Sequence, residues 1–130
     1  MSKVVAQPIA TELSFPHSSE VMRLEYALGQ LTIQVRSLKE PRSATVEFKN
    51  VLGFRVLDER DLMEYWPVCS TPNGWMFEVQ SGGWLSQERE RDGSCIECWN
   101  PDAKEFIVTG EDDCVSVICV DPPTVRADAP

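Results

Sequence analysis

The chain has 130 residues, 42% hydrophobic and 25% charged, with 21 acidic against 12 basic side chains and a net charge of −9. This describes a single globular domain over residues 1–130 and excludes a disordered or fibrous chain. It also argues against a nucleic-acid binder, which needs a basic face to displace counterions from phosphates, and no apolar run approaches the roughly 20 residues of a membrane span. No charged segment followed by an apolar stretch opens the chain, so no signal peptide is expected. Five cysteines, an odd number without an export signal, point to reduced thiols in the cytoplasm.

Residues 1–12 have weak periodicity and residues 121–130 no amphipathic pattern, so both read as flexible tails around an ordered body from about 18 to 120. The first element is a hairpin. Met22, Leu24, Tyr26 and Leu28 alternate with polar residues, as do Leu31, Ile33 and Val35, and each strand therefore has one dry and one wet face. With Gly29-Gln30 as a type II′ loop, Leu28 faces Leu31, Tyr26 faces Ile33 and Leu24 faces Val35, at the cost of setting Arg23 opposite Arg36. Ala44, Val46 and Phe48 form a third strand after Pro41. Leu52, Phe54 and Val56 continue extended, with Gly53 marking a bulge or bend.

Asp58 is a good N-cap for one short helix over 58–66. Glu59 and Asp61 lie in its first turn, Leu62, Tyr65 and Trp66 share one side, and Pro67 ends it. Trp75, Phe77 and Val79 alternate in another strand. Ser81-Gly82-Gly83 is a turn, Trp84-Leu85 opens a further extended stretch, and 86–103 reads as polar loop. Phe106 to Val108 forms a strand, Gly110 to Asp113 a turn, and Cys114 to Val120 a last strand that is apolar on both parities, hence covered on both faces. The expected fold is α+β and mainly antiparallel β: seven or eight strands in a strongly curved or two-layer sheet, with the helix near 58–66.

Cys95-Ile-Glu-Cys98 is the sharpest motif, because two thiolates at this spacing can hold half of a zinc site. Cys114 and Cys119 cannot readily complete it, since their separation along a strand points them to opposite faces. The plain reading is two core residues and two loop thiols. His17, the sole histidine, lies in a loop-like segment; a nucleophilic site would have to bring it to Cys69 or Ser70. Capping explains the first of Asp58, Glu59, Asp61 and Glu64, and Glu111-Asp112-Asp113 lacks the spacing of a calcium loop. No phosphate-cradling glycine loop is present.

Charge distribution says more. Residues 88–113 hold nine acids and three bases, −6 of the net −9, with Trp84 and Trp99 at or within the segment. Such a face can dock a basic protein: charge steers the encounter and aromatic rings supply contact area. The plain alternative is a solvated acidic face.

Three stretches, FKNVLGFRVLDERDLMEYW at Phe48–Trp66, GWMFEVQSGGWL at Gly74–Leu85 and CVSVI at Cys114–Ile118, resemble a pattern in small bacterial proteins, some of them immunity proteins of polymorphic toxin and contact-dependent inhibition systems. The resemblance rests on core positions and carries over no functional residue. It implies a non-enzymatic immunity protein that neutralises a basic toxin, and the charge count nominates Glu88, Glu90, Asp92, Glu97, Trp99, Glu111, Asp112 and Asp113 as contacts. The expected partner is thus a basic protein, with no nucleic acid, membrane or cofactor, and nothing sets an oligomeric state. The alternatives are a domain using Cys95 and Cys98 for a structural metal or thiol chemistry, and a hydrolase with paired carboxylates in a deep cleft.

Overall fold

The computed structural model describes residues 3–11, 15, 18–70 and 73–128. Among these residues nine strands form two antiparallel sheets. The first sheet holds, in spatial order, β1 (Val5–Pro8), β6 (Met76–Ser81), β7 (Lys104–Val108), β8 (Asp113–Cys119) and β5 (Gly53–Asp58). The second holds β2 (Ser19–Ala27), β3 (Gln30–Ser37), β4 (Ser43–Phe48) and β9 (Thr124–Ala127). Two short helices, α1 (Trp84–Glu90) and α2 (Ile96–Trp99), complete the fold, and no helix among the described residues is long and apolar enough to cross a membrane.

The sheets pack face to face because their alternating side chains supply two dry surfaces. Leu31, Ile33, Val35, Ala44, Val46 and Phe48 from β3 and β4 meet Met76, Phe106, Val108, Val115, Val117 and Cys119 from β6, β7 and β8 in one core. The other face of the four-stranded sheet is wet and carries the ion pairs Arg36–Glu20 and Arg126–Glu47. The five-stranded sheet is dry on both sides. Phe77, Val79, Ile107 and Cys114 pack under Leu62, Tyr65 and Cys69, while Ile118 packs under Leu85 and Ala103. The two-sided apolar pattern of β8 is thereby explained, and Cys114 and Cys119 do lie in different clusters.

Several expectations are corrected. The helix over 58–66 is only a 3-10 turn at Glu59–Asp61, although Asp58 caps it as expected by accepting from Arg60 N–H. Beyond it, Tyr65 N–H bonds to Leu62 O and Trp66 N–H to Met63 O, so the segment advances in three-residue turns. This lets Leu62 and Tyr65 enter the sheet while the Trp66 indole donates to Glu59 O at 2.8 Å. Residues 84–103 are not extended and polar but carry α1 and α2.

The ordered body also extends past 18–120. β1 and β9 lie in segments expected to be tails, and with them the strand count rises to nine. Each is four residues long and contributes one half-buried apolar side chain, Ala6 or Val125, too little for a periodic signal.

The first hairpin is right in its strands and in the dry face of β3, but on β2 it is Val21 and Leu24 that pack against the core while Met22, Tyr26 and Leu28 are exposed, and its loop is one residue earlier. Leu28 and Gly29, at φ +50° and +82°, occupy the loop, the signature of a type I′ turn. Tyr26 then pairs with Leu31 and Leu24 with Ile33. The earlier loop sets Arg23 opposite Gln34, and an irregularity between Val21 and Arg23 then brings Glu20 opposite Arg36. The like-charge pair is avoided. Leu52 N–H and Gly53 both meet Ile118, two residues against one, which is the bulge that Gly53 suggested.

Candidate functional site

The eight nominated residues do not form one patch. Glu88, Glu90 and Asp92 lie on or just after α1, and Glu97 and Trp99 on α2, beside the Ala103–Ile118 end of the five-stranded sheet. Glu111 and Asp112 occupy the β7–β8 turn at the other end, and Asp113 opens β8 there. From Ile118 to Asp113 is five residues of strand, about 17 Å. Arginines further thin the helical group, since Arg91 pairs with Glu88 at 2.9 Å and Arg89 with Glu97 at 2.7 Å. Trp99 itself remains 79% exposed.

The β7–β8 turn instead meets acids from elsewhere in the chain. Register sets Asp58 opposite Asp113, and Glu59 N–H donates to Asp112 O at 2.8 Å. Asp58, Glu59, Asp61, Glu111, Asp112 and Asp113 therefore gather at one end, with Arg60 among them. Hydrogen bonding to Arg60 holds the Asp58 carboxyl down at about 2. Arg60 is pushed up by Asp58 first, with Asp61 and Asp112 adding to it. The sequence shows two acidic runs; only the pairing of β5 with β8 makes them one.

Behind this end lies a cleft of about 420 Å³ lined by Ser18, Ser19, Glu59, Trp66, Ser70 and Glu111, with Cys69 and Thr109 at its floor. Three of its hydroxyls are engaged: Ser70 Oγ donates to Trp66 O at 2.9 Å, Ser19 Oγ to Thr109 O at 3.3 Å and Thr109 Oγ1 to Trp75 O at 2.9 Å. Cys69 is fully buried, and burial pushes its thiol up to about 12, so it is a protonated side chain at neutral pH. Among the described residues, two carboxylates, an indole and these tied hydroxyls make a surface for contact. His17 lies outside the described residues.

A second polar cluster is buried and serves the fold. Glu105, 1% exposed, accepts from Leu85 N–H at 2.9 Å and from Tyr65 O–H at 2.6 Å. Tyr65 Oη in turn accepts from Trp84 N–H at 2.9 Å. The first turn of α1 is thus capped by side chains distant in sequence, because Gly83 at its N-cap has no side chain to offer. Burial raises the pKa of Glu105 against the opposing effect of its hydrogen bonds, and burial, with Glu105 adding to it, raises that of Tyr65. Arg55 lies 5.0 Å above the Trp84 ring and reaches Tyr65 Oη at 3.4 Å.

Cys95 and Cys98 are exposed at the start and within α2, whereas Cys114 and Cys119 are buried in β8. A four-cysteine site is not built, and among the described residues no three His, Cys, Asp or Glu side chains come together as a metal site. Comparison of the chain with protein-family models, curated proteins and solved structures gives no match.

Proposed function

We propose that this protein is a non-enzymatic binding module that docks a basic protein through the end formed by Asp58, Glu59, Asp61 and Glu111–Asp113, in the manner of an immunity protein neutralising a basic toxin. The observation that carries the reading is the convergence of six carboxylates from two chain segments around one arginine, Arg60, which pairs with Asp58; two of the six, Glu59 and Glu111, also line the cleft. Such a potential steers a cationic partner and fixes its orientation, while Trp66 and the cleft supply contact area. Relative to the eight residues nominated from sequence, Glu111, Asp112 and Asp113 keep their role. The α1–α2 acids, partly neutralised and at the far end, become a secondary contact at most.

The test is co-expression with the product of the adjacent reading frame, followed by a binding titration. Neutralising Glu111, Asp112 and Asp113 together as Gln, Asn and Asn should weaken the complex about tenfold or more, and added salt should weaken it further. Neutralising Glu88, Glu90 and Asp92 should change it far less. No complex, or equal loss from both triple variants, would refute the assignment.

A further inference from the structure

Each sheet has two edge strands, and three of the four are closed or blunted. β1 ends at Pro8, which has no N–H to offer. β9 is four residues long and follows Pro122-Pro123. β2 is irregular at Met22 and gives Ser19 O to Glu111 N–H at 2.7 Å. β5, Gly53–Asp58, contains neither proline nor lysine.

Its hydrogen bonding can be followed residue by residue. Glu59 N–H bonds to Asp112 O, and bonded pairs alternate in an antiparallel ladder, so Leu57, Arg55 and Gly53 are the residues that exchange bonds with β8. Phe54 and Val56 therefore turn N–H and C=O toward the open side. Along that side runs an apolar ledge. Val56 is 45% exposed, Leu52 41% and Tyr26 49%, and the Tyr26 ring lies 5.2 Å from that of Phe54. At the C-terminal end of the strand stands the acidic end.

We propose that β5 is a docking edge for an extended basic segment of a partner protein, which adds to the five-stranded sheet as a sixth strand. The backbone of Phe54 and Val56 would bond the incoming strand. On the face shared by Val56 and Asp58, the incoming side chains would be apolar where they cover Tyr26 and Val56 and basic further along, where they meet Asp58 and Asp113 and, past the strand end, Asp61 and Asp112. The proposal rests on the acidic-end reading and adds the conformation of the partner's recognised segment. A second copy of this chain fits less well: its β5 is not a basic segment, and two molecules of net charge −9 repel.

The experiment is fluorescence anisotropy at low salt with a labelled Lys–Val peptide, in which Val alternates with Thr over the length that covers Val56 and Lys follows on the same face where it reaches Asp58. Controls are a Glu–Val counterpart and a Lys–Val peptide N-methylated on its bonding residues. On the protein side, Val56→Pro removes an outward N–H and leaves the bonds to β8 in place. The Lys–Val peptide should bind, and N-methylation, Val56→Pro or the Glu–Val exchange should each weaken binding about tenfold or more. Should Val56→Pro not fold, the N-methylated peptide asks the same question of the unaltered protein. Equal binding of methylated and parent peptides would overturn strand addition while leaving the acidic-end reading intact. Equal binding of the Glu–Val and Lys–Val peptides, still lost on methylation, would overturn the basic occupant and the acidic-end reading together. No binding of the Lys–Val peptide, or a protein dimer abolished by Val56→Pro, would also overturn the proposal.

Discussion

Replacing Glu105 tests whether α1 is held by the buried network. Glu105→Ala leaves Leu85 N–H and Tyr65 O–H without their acceptor inside the protein. Each unmade buried bond costs about 1–3 kcal/mol, and removing a carboxylate that is expensive to bury offsets part of the sum. A net loss of about 3 kcal/mol is expected, a large fraction of the roughly 5–15 kcal/mol that stabilises a domain. Glu105→Gln keeps an oxygen for Leu85 N–H but turns an amide toward Tyr65, and should cost only about 1–2 kcal/mol. Urea unfolding at neutral pH, followed by tryptophan fluorescence, measures both. A pH series adds a sign. Because the folded-state pKa of Glu105 is raised, its contribution is fully present below the ordinary value of 4.5 and is lost as pH rises through the raised one. The advantage of the wild type over Glu105→Gln should therefore be largest in acid and shrink as pH increases. An alanine variant within about 0.5 kcal/mol of wild type, or a glutamine variant as damaged as alanine, would refute the reasoning.

Gly83→Ala should destabilise by about 2 kcal/mol in the same assay, for steric reasons alone: a Cβ there would lie 2.7 Å from Glu105 Oε1 and 2.8 Å from Tyr65 Oη, while its φ of −104° suits any residue. Leu28→Asn should raise thermal stability by about 0.5–1 kcal/mol, since Leu28 sits at φ +50° with its side chain wholly in water and asparagine tolerates that conformation. A thiol reagent should label Cys95 and Cys98 rapidly in the native protein. Cys69, Cys114 and Cys119, whose thiols burial pushes up to about 12, 11 and 12, should react only on unfolding, as mass spectrometry would show.

Those strands with one wet and one dry face could be read from alternation alone, as β3 and β4 show; on β2 the same pattern misplaced Met22, Tyr26 and Leu28, which are exposed. β8 was recognisable from the opposite pattern. What escaped was structure fixed by distant partners. α1 begins at a glycine and is capped from Glu105 and Tyr65, so no local cap signals it. Around Asp58 the cap signal was correct, but the demand that Leu62 and Tyr65 reach the sheet favoured a tighter turn than an α-helix. The same holds for the candidate site. Counting charge along the chain joined Glu88 to Asp113, which the sheet separates, and kept apart Asp58 and Asp113, which it pairs.

The placement of β9 bears on how the molecule is made. Its partner β4 ends at Phe48, yet that union waits for residues 124–127, where Asp128 then fastens Ser43 and Thr45 through both carboxylate oxygens. β1 likewise waits for β6. Such long-range pairings retard folding, because loop closure must precede the contacts that reward it. During synthesis the β2–β3–β4 meander must persist with its apolar face uncovered until the five-stranded sheet has been translated, and this interval is when aggregation competes most strongly with assembly.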